Sequence, residues 1–239
     1  QELGKRSNRA ECKAFNAAPD DLKSPEKHWV MFLRCEVYDA VLATDRMLRY
    51  WRRRVKYFGR DKAYLPLTRE GALAGDDIAL NNKFLTFLPG LVDSDGIGVL
   101  FGDPSFLRPG TCSRKSMVRS VWYIIENITL ADAEVQRRGV LFLGYLKNIG
   151  MQNMDNTMFK MHMDAIKGCL PIRIRKFIVT HPPPIFEVIF PVVQIFMPAW
   201  VKKRISICSG TSEEVLEILV TEYSLNAELL PPVFSLSPE

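Results

Sequence analysis

The first third of the chain carries apolar residues at intervals of three and four, the spacing of amphipathic helices. Between Pro25 and Phe58 these residues are Trp29, Phe32, Leu33, Val37, Val41, Leu42, Met47, Leu48, Trp51 and Val55. Asp39 or a neighbour is the expected start of the second helix, and Gly59 is its expected stop, because glycine adopts the left-handed C′ conformation at little cost. A solvated face of this helix is predicted for the basic residues Arg49, Arg52, Arg53, Arg54 and Lys56.

A Gly- and Asp-rich stretch from Glu70 to Asp77 separates this part from a region in which strand-like and helix-like segments alternate. Short runs rich in Val, Ile and Phe predict strands of a sheet buried on both faces, at Ile97–Phe101, Gly139–Tyr145, Arg175–Thr180 and Arg204–Cys208. Helical spacing over Lys115–Arg138 and Met154–Lys167 predicts helices between them. The pattern indicates an α/β protein, with a small N-terminal helical domain over residues 1–75 and a second domain over 76–239.

The most apolar segment runs from Pro182 to Val201. Glu187, Pro191, Gln194 and Pro198 interrupt it before about 20 clean apolar residues accumulate, so it does not predict a membrane span. It is nevertheless apolar on nearly all sides, with more apolar surface than one core face can cover. Three explanations are open: a fully buried core helix, a surface for a protein partner, or an element that covers a lipid cavity and touches a membrane.

The chain has a formal net charge of +5. This mild excess favours an anionic surface as a partner but is too small for a dedicated nucleic-acid-binding protein. The cationic run Lys202-Lys203-Arg204 follows the apolar segment directly, and Arg173, Arg175 and Lys176 precede it. Basic residues beside an apolar helix strengthen attachment to an anionic leaflet by roughly 1 kcal/mol each. The alternative is that both clusters are solvated ends of strands and helices.

Catalytic and cofactor motifs are not found. The chain has no glycine-rich phosphate loop, dinucleotide fingerprint, nucleophile elbow or zinc-protease helix, and its three histidines (His28, His162 and His181) are far apart. Asp93-Ser94-Asp95-Gly96 opens like a calcium loop, but Ile97 and Pro104 occupy ligand positions, so a turn is expected. Neither an enzyme, a metal site nor a cofactor is predicted.

The predicted location is cytoplasmic. The polar stretch from Gln1 to Asp20 lacks the apolar run of a secretory signal. The five cysteines are scattered and odd in number, which is typical of reduced thiols rather than a disulfide framework.

Several motifs, in this order, resemble the CRAL-TRIO lipid-binding family, which includes the α-tocopherol transfer protein and the yeast phosphatidylinositol transfer proteins. Phe32-Leu33-Arg34 and Leu48–Arg53 resemble its N-terminal helical domain, and Gly139–Leu143 resembles a central strand. Phe177-Ile178-Val179, Ser209-Gly210 and Leu229-Leu230-Pro231 resemble later segments. Two departures mark a divergent member: Tyr145 stands where the family strand ends in aspartate, and His181-Pro182-Pro183 stands where the family has Asn-x-Pro.

The resemblance implies a mixed sheet and helices that enclose an apolar pocket for one lipid, closed by a mobile gate helix over Ile185 to Trp200. From the gate it implies ligand contacts by Phe186, Ile189, Phe190, Val193 and Met197. From the rest of the chain it implies contacts by Val140, Phe142, His162, Ala165, Ile166, Leu170, Ile172 and Phe177. Each of these residues could equally be core packing.

The resemblance also bears on the headgroup and on the membrane. Ile172 and Arg204 occupy positions where phosphatidylinositol-binding members have glutamate and lysine, so an internal inositol headgroup is disfavoured. Arg173, Arg175 and Arg204 match basic residues with which the tocopherol transfer protein docks on phosphoinositides, and the planar guanidinium suits phosphate. Membrane contact is therefore predicted for Arg173, Arg175, Lys202, Lys203 and Arg204.

The resemblance thus favours a non-enzymatic carrier that exchanges one hydrophobic ligand at anionic membranes while peripherally attached. A tocopherol, a retinoid, a sterol-like molecule and a phospholipid all remain open as the ligand. The alternative is a lipid-sensing regulatory module that binds a protein partner and transfers nothing. An enzyme using His162 or His181 is a third and weaker reading.

Overall fold

The computed structural model describes residues 10–23, 26–197 and 199–235. The chain divides into two compact units, which are described separately. The helical unit comprises Gln1–Asn81, Gly110–Arg137 and Lys160–Ile172, and the sheet unit comprises Asn82–Pro109, Arg138–Phe159 and Arg173–Glu239. The division into domains over residues 1–75 and 76–239 remains a prediction.

The helices of the chain are α1 (Ala10–Asn16), α2 (Asp20–Lys23), α3 (Glu26–Cys35), α4 (Ala40–Phe58), α5 (Arg60–Ala63), α6 (Asp77–Leu80), α7 (Arg114–Ala131), α8 (Ala133–Arg138), α9 (Asn156–Ile166), α10 (Phe186–Phe196), α11 (Ala199–Lys202) and α12 (Ser212–Thr221). The strands are β1 (Leu85–Val92), β2 (Gly98–Gly102), β3 (Val140–Tyr145), β4 (Ile174–Thr180) and β5 (Ile205–Cys208). Helix and sheet together confirm the predicted α/β class.

The ends of α4 are those that the sequence predicts. The Asp39 side chain accepts hydrogen bonds from the backbone N–H groups of Val41 and Leu42, both at 2.9 Å. Gly59 has a φ of 79° and donates its backbone N–H to the carbonyl of Val55. Both caps satisfy backbone groups that the helix itself leaves unpaired.

The solvated face predicted for α4 is wrong at one residue. Arg54 is buried, and its guanidinium donates to the Tyr50 hydroxyl at 2.7 Å and to the Leu65 carbonyl at 2.6 Å. The Tyr50 hydroxyl in turn donates to the Glu126 carboxylate at 2.7 Å. A buried charge is tolerated here because it is hydrogen-bonded and is linked through the Tyr50 hydroxyl to the Glu126 carboxylate.

Part of the apolar stripe predicted around α3 and α4 does not enter the core. Val37 and Tyr38 form the turn between the two helices with φ of 54° and 64°, and they are 65% and 62% exposed. Val41 and Leu42 in the first turn of α4 are also exposed. The helical period ends at this turn, so residues beyond it point away from the face that α3 buries.

The five strands form one sheet in the order β1-β2-β3-β4-β5. β1 is antiparallel to β2, and the pairs β2–β3, β3–β4 and β4–β5 are parallel. The four predicted strands agree with β2 to β5 to within one residue. β1 was not predicted because Pro89 and Gly90 interrupt its pattern; its register with β2 shifts between Leu88 and Val92, as an edge strand allows.

Two predicted helices are divided in the structure. Asp132 separates α7 from α8, and its side chain caps α8 by accepting from the backbone N–H groups of Glu134 and Val135. The segment predicted to form one gate helix, Ile185 to Trp200, contains two helices, α10 and α11; Pro198 between them lies outside the described residues. Met197, the last described residue before this position, has an extended backbone, as is typical of a residue that precedes proline, and α10 ends there.

Candidate functional site

One face of the sheet is filled by its own core. Alternate residues of β2 to β5, such as Val99, Leu141 and Ile178, are almost completely buried. They pack in a cluster with residues of α12 and the segment that follows it, namely Val215, Leu219, Leu225, Leu230 and Phe234. Because side chains alternate along a strand, the residues between them project from the opposite face.

That opposite face, here named the second face, is apolar and becomes more exposed toward β5. The strand register aligns Leu100, Phe142, Phe177 and Ile205 in one row across β2 to β5. The next row ends with Val179 on β4 and Ile207 on β5. Leu100 is fully buried, the four residues Phe142, Phe177, Val179 and Ile205 are partly buried, and Ile207 is 46% exposed.

A depression of about 610 Å³ opens beside the second face. It is lined by the proline turn Pro182–Pro184, by one side of α10 and by the end of β5, including Phe186, Phe190 and Ile207. Glu187 and Ser209 add polar groups to this otherwise apolar lining. Ile207 belongs to the second face, so α10 and the second face border the same space.

Helix α10 has two different apolar stripes. The five residues predicted to contact ligand (Phe186, Ile189, Phe190, Val193 and Met197 just beyond its end) are buried or partly buried. The rings of Phe186 and Phe190 stack with their centroids 4.7 Å apart. Val188, Val192 and Ile195 are exposed by 67%, 41% and 74% and form a second stripe on the outside. One helix thus presents apolar surface both inward and to solvent.

The structure places the predicted lining residues in both units. In the sheet unit, Phe142 and Phe177 project from the second face as a stacked pair, and Val140 precedes Phe142 on the same face. In the helical unit, the buried residues His162, Ala165 and Ile166 lie on α9, with the buried residues Leu170 and Ile172 after it. The role of all these residues in contacting ligand remains a prediction.

Sequence reasoning missed several residues that border the depression. Ile207 is one of them; it lies two positions after Ile205 on the same face of β5, so the period of two could have identified it. The prolines Pro182 to Pro184 could not be identified in this way, because their position depends on the turn that begins at His181, which has a φ of 50°.

Three of the basic residues predicted to contact a membrane, Arg173, Arg175 and Arg204, lie at one edge of the sheet unit. The carbonyl of Arg173 accepts the backbone N–H of Val140 at 2.8 Å. The guanidinium of Arg204 donates to the carbonyl of Ile174 and lies over the Trp200 ring, 5.2 Å from its centroid. Parallel strands begin at the same edge of a sheet, which is why residues distant in sequence meet there.

Arg138 also lies at this edge and was not predicted. Its carbonyl accepts a hydrogen bond of 2.9 Å from the Arg175 guanidinium, and its own guanidinium donates to the Asp95 carbonyl at 2.7 Å. Lys202 and Lys203 are exposed just before β5. Arg138, Arg173, Arg175, Lys202, Lys203 and Arg204 are together named the basic edge.

The two positions that depart from the family pattern lie side by side at the other edge. The rings of Tyr145 and His181 are 5.1 Å apart, and both contact the Phe234 ring. Burial, with a smaller contribution from Asp103, raises the pKa of Tyr145. Burial, followed by the charge of Lys147, lowers the pKa of His181. Both shifts favour the uncharged forms of these rings, which form an aromatic cluster at positions where the resemblance implies polar residues.

The described residues form neither a metal-binding cluster nor a membrane-spanning helix. Within residues 10–23, 26–197 and 199–235, no three His, Cys, Asp or Glu side chains are grouped so that they could hold a metal ion. In the same described ranges, none of the helices combines the length and apolar character needed to cross a bilayer. His162 and His181 belong to the helical unit and the sheet unit respectively.

Comparisons with known proteins agree with the fold. Residues 81–229 match the family described as the CRAL/TRIO domain. The crystal structure of Sfh5 is similar in fold, with a TM-score of 0.57 and 11% sequence identity over 94% of this chain and 82% of that one. No protein of curated function matches the sequence. The family match covers more than half of the chain, so the chain belongs to the CRAL/TRIO family, whose members bind hydrophobic lipids.

Proposed function

We propose that this protein carries one hydrophobic lipid on the second face of its sheet, under α10, and exchanges it at anionic membranes. The observation that carries the proposal is the shared space: Phe186 and Phe190 of α10 and Ile207 of the second face line the same depression of about 610 Å³. A lipid gains roughly 0.8 kcal/mol for each methylene group that leaves water, so an apolar space of this kind favours binding without any chemical step.

Helix α10 acts as the gate. Its inward stripe covers the ligand, and its outward stripe of Val188, Val192 and Ile195 contacts the bilayer when the protein docks. The turn at Pro182–Pro184 before it and the end of the helix at Met197 are the two positions where the segment can pivot. Exposure of the apolar outer stripe to water is unfavourable, and its transfer into the membrane interface is favourable. Docking therefore stabilises α10 at the membrane, away from the sheet, which opens the gate.

The basic edge supplies the attraction to anionic lipid. Six cationic residues from the starts of three strands lie there, and five of them were predicted from the sequence. Arg175 and Arg204 use part of each guanidinium on backbone carbonyls, which holds the side chains in place for phosphate. Each basic residue near the membrane surface contributes roughly 1 kcal/mol to the free energy of binding to anionic lipid.

The test is direct. The purified protein is extracted with organic solvent, the extract is analysed by mass spectrometry, and transfer of the identified lipid is measured between labelled donor and acceptor vesicles with and without phosphatidylserine. The expected result is one lipid per protein and transfer that is faster with the anionic vesicles. Protein that carries no lipid and transfers none to either vesicle would refute the proposal.

A regulatory module is a second candidate, and one observation favours it. The turn at Val37 and Tyr38 holds two large, exposed side chains with positive φ, a backbone conformation that costs free energy in a β-branched residue. Such a turn suits a protein partner better than a lipid. This function would be supported if the protein retains its lipid, transfers none between vesicles, and binds a protein partner that the Tyr38→Ser variant no longer binds.

A further inference from the structure

Two glycines lie next to each other on the second face. The register pairs Gly102 of β2 with Gly144 of β3, in the same row as Val179 and Ile207. On the other side, Leu85 of β1 pairs with Gly102. The second face therefore lacks side chains at two neighbouring positions in the middle of the sheet.

Neither glycine is explained by its backbone or by crowding. Gly102 and Gly144 are not among the residues with positive φ. A Cβ atom on Gly144 would have only the Ile178 carbonyl oxygen within 4 Å, at 3.6 Å, among the described residues. A Cβ atom on Gly102 would meet the Phe84 carbonyl oxygen at 3.6 Å and the Leu85 Cδ1 at 4.0 Å. These are ordinary contacts, so alanine would fit at either position.

Glycine inside a strand weakens the strand, because it loses more conformational entropy on folding and has no side chain to pack. Because neither the backbone conformation nor crowding requires glycine at these two positions, we attribute the glycines to the free space that they leave above the sheet. Both glycines remain partly exposed to solvent. Glycine in a strand is typical of sites where a ligand approaches the backbone closely.

The shape of this space indicates the shape of the ligand. Leu85 and Val179 bound it across the strands, and Leu100 and Phe142 bound it at one end along them. Two strand spacings make a trough about 10 Å wide, whereas an extended acyl chain needs a groove about one strand spacing wide. A flat, rigid group fills such a trough, and the aromatic pair of Phe142 and Phe177 lies beside it.

We infer that Gly102 and Gly144 form a seat for a fused-ring lipid, and that this pair selects ring-bearing lipids over straight-chain ones. The inference rests on the proposed function, since it names the class of lipid that the second face takes. A larger side chain at Gly144 would occupy the seat of the ring and leave the rest of the second face available to a flexible chain.

The test compares Gly144→Leu with the wild-type protein, using the fluorescent sterol dehydroergosterol and the straight-chain cis-parinaric acid as probes. Thr86→Leu is the matched control, because it adds the same side chain at an exposed position on the other face of β1. We expect Gly144→Leu to weaken dehydroergosterol binding at least tenfold, to change cis-parinaric acid binding less than twofold, and to melt at or above the wild-type temperature. Thr86→Leu should change neither affinity.

The other outcomes are also decisive. Unchanged sterol binding in Gly144→Leu, equal loss of both probes, or a wild-type protein that binds only cis-parinaric acid would overturn the inference while leaving the carrier function intact. A wild-type protein that binds neither probe and carries no lipid would refute the carrier function itself. If Gly144→Leu does not fold, Gly102→Leu tests the same seat from the neighbouring strand and is read in the same way.

Discussion

Phe142 and Phe177 stack across β3 and β4, with ring centroids 5.2 Å apart and ring planes 16° from parallel. Both rings are only partly buried, unlike the aromatic residues on the other face of the sheet. A stacked pair that still exposes apolar surface is suited to a third apolar group, and we assign that place to the ligand.

Truncating one ring of this pair should affect binding more than folding. We expect Phe177→Ala to lower the free energy of unfolding by about 1–2 kcal/mol, less than the 3–5 kcal/mol typical of a buried phenylalanine, and to weaken lipid binding about tenfold. Urea denaturation and a fluorescent-lipid titration measure the two effects. Phe101→Ala, on the core face, is the control and should show the reverse: large destabilisation with unchanged affinity of the folded fraction. Similar behaviour of both variants would contradict the assignment.

The outer stripe of α10 should matter only at a membrane. Val188 and Ile195 are 67% and 74% exposed, so Val188→Asp and Ile195→Asp should change the free energy of unfolding by less than about 0.5 kcal/mol. We expect each variant to sediment with phosphatidylserine vesicles at least tenfold more weakly, because a carboxylate replaces a side chain that enters the interface. Val220→Asp, which alters an exposed valine on α12, should sediment like the wild type. Normal sedimentation of the α10 variants would exclude this stripe from docking.

The basic edge should produce a graded, salt-dependent effect. Arg138→Ala and Arg175→Ala should each weaken binding to anionic vesicles about fivefold, the equivalent of roughly 1 kcal/mol, and reduce the dependence of binding on salt. The Arg138 variant tests the folded arrangement more directly, because Arg138 meets Arg175 at this edge only when the strands of the sheet are paired. Lys83→Ala is the control: Lys83 is exposed and precedes β1, whose start lies at the opposite edge of the parallel strands. Equal effects of Lys83→Ala and Arg175→Ala would indicate attraction by net charge alone.

Protonation of His28 should make the folded protein less stable as the pH falls. Burial, followed by the charge of Arg54, lowers the pKa of His28 from 6.5 to about 4, and its Nε2 accepts a hydrogen bond from the Trp51 indole at 3.2 Å. At a pH between these two pKa values, His28 binds a proton in the unfolded chain but not in the folded chain. The contribution of His28 is therefore complete above pH 6.5 and is lost as the pH falls toward 4, by up to about 3 kcal/mol.

Denaturant unfolding from pH 7.5 to pH 4 measures this loss. His28→Gln is the appropriate variant, because the amide oxygen can accept the Trp51 hydrogen bond without titrating. We expect its unfolding free energy to vary less with pH than that of the wild type over this range. Identical pH profiles would show that His28 does not carry the dependence.

Elements that depend on neighbours along the chain could be predicted from local patterns. The four strands β2 to β5, the capping of α4 by Asp39 and Gly59, and the excess apolar surface of α10 all follow from local periodicity and local backbone chemistry. The resemblance placed these elements in a lipid-binding fold, and the family match confirms it.

Other features depend on contacts between segments that are distant along the chain. β1 is held by its pairing with β2 despite Pro89 and Gly90, and Arg54 is buried by aromatic residues that fold around it. Arg138 meets Arg175, and Gly102 lies beside Gly144, only because the parallel strands align in one register. A chain pattern shows which face of a strand a residue occupies, but which residues are neighbours across strands depends on pairings between segments tens of residues apart.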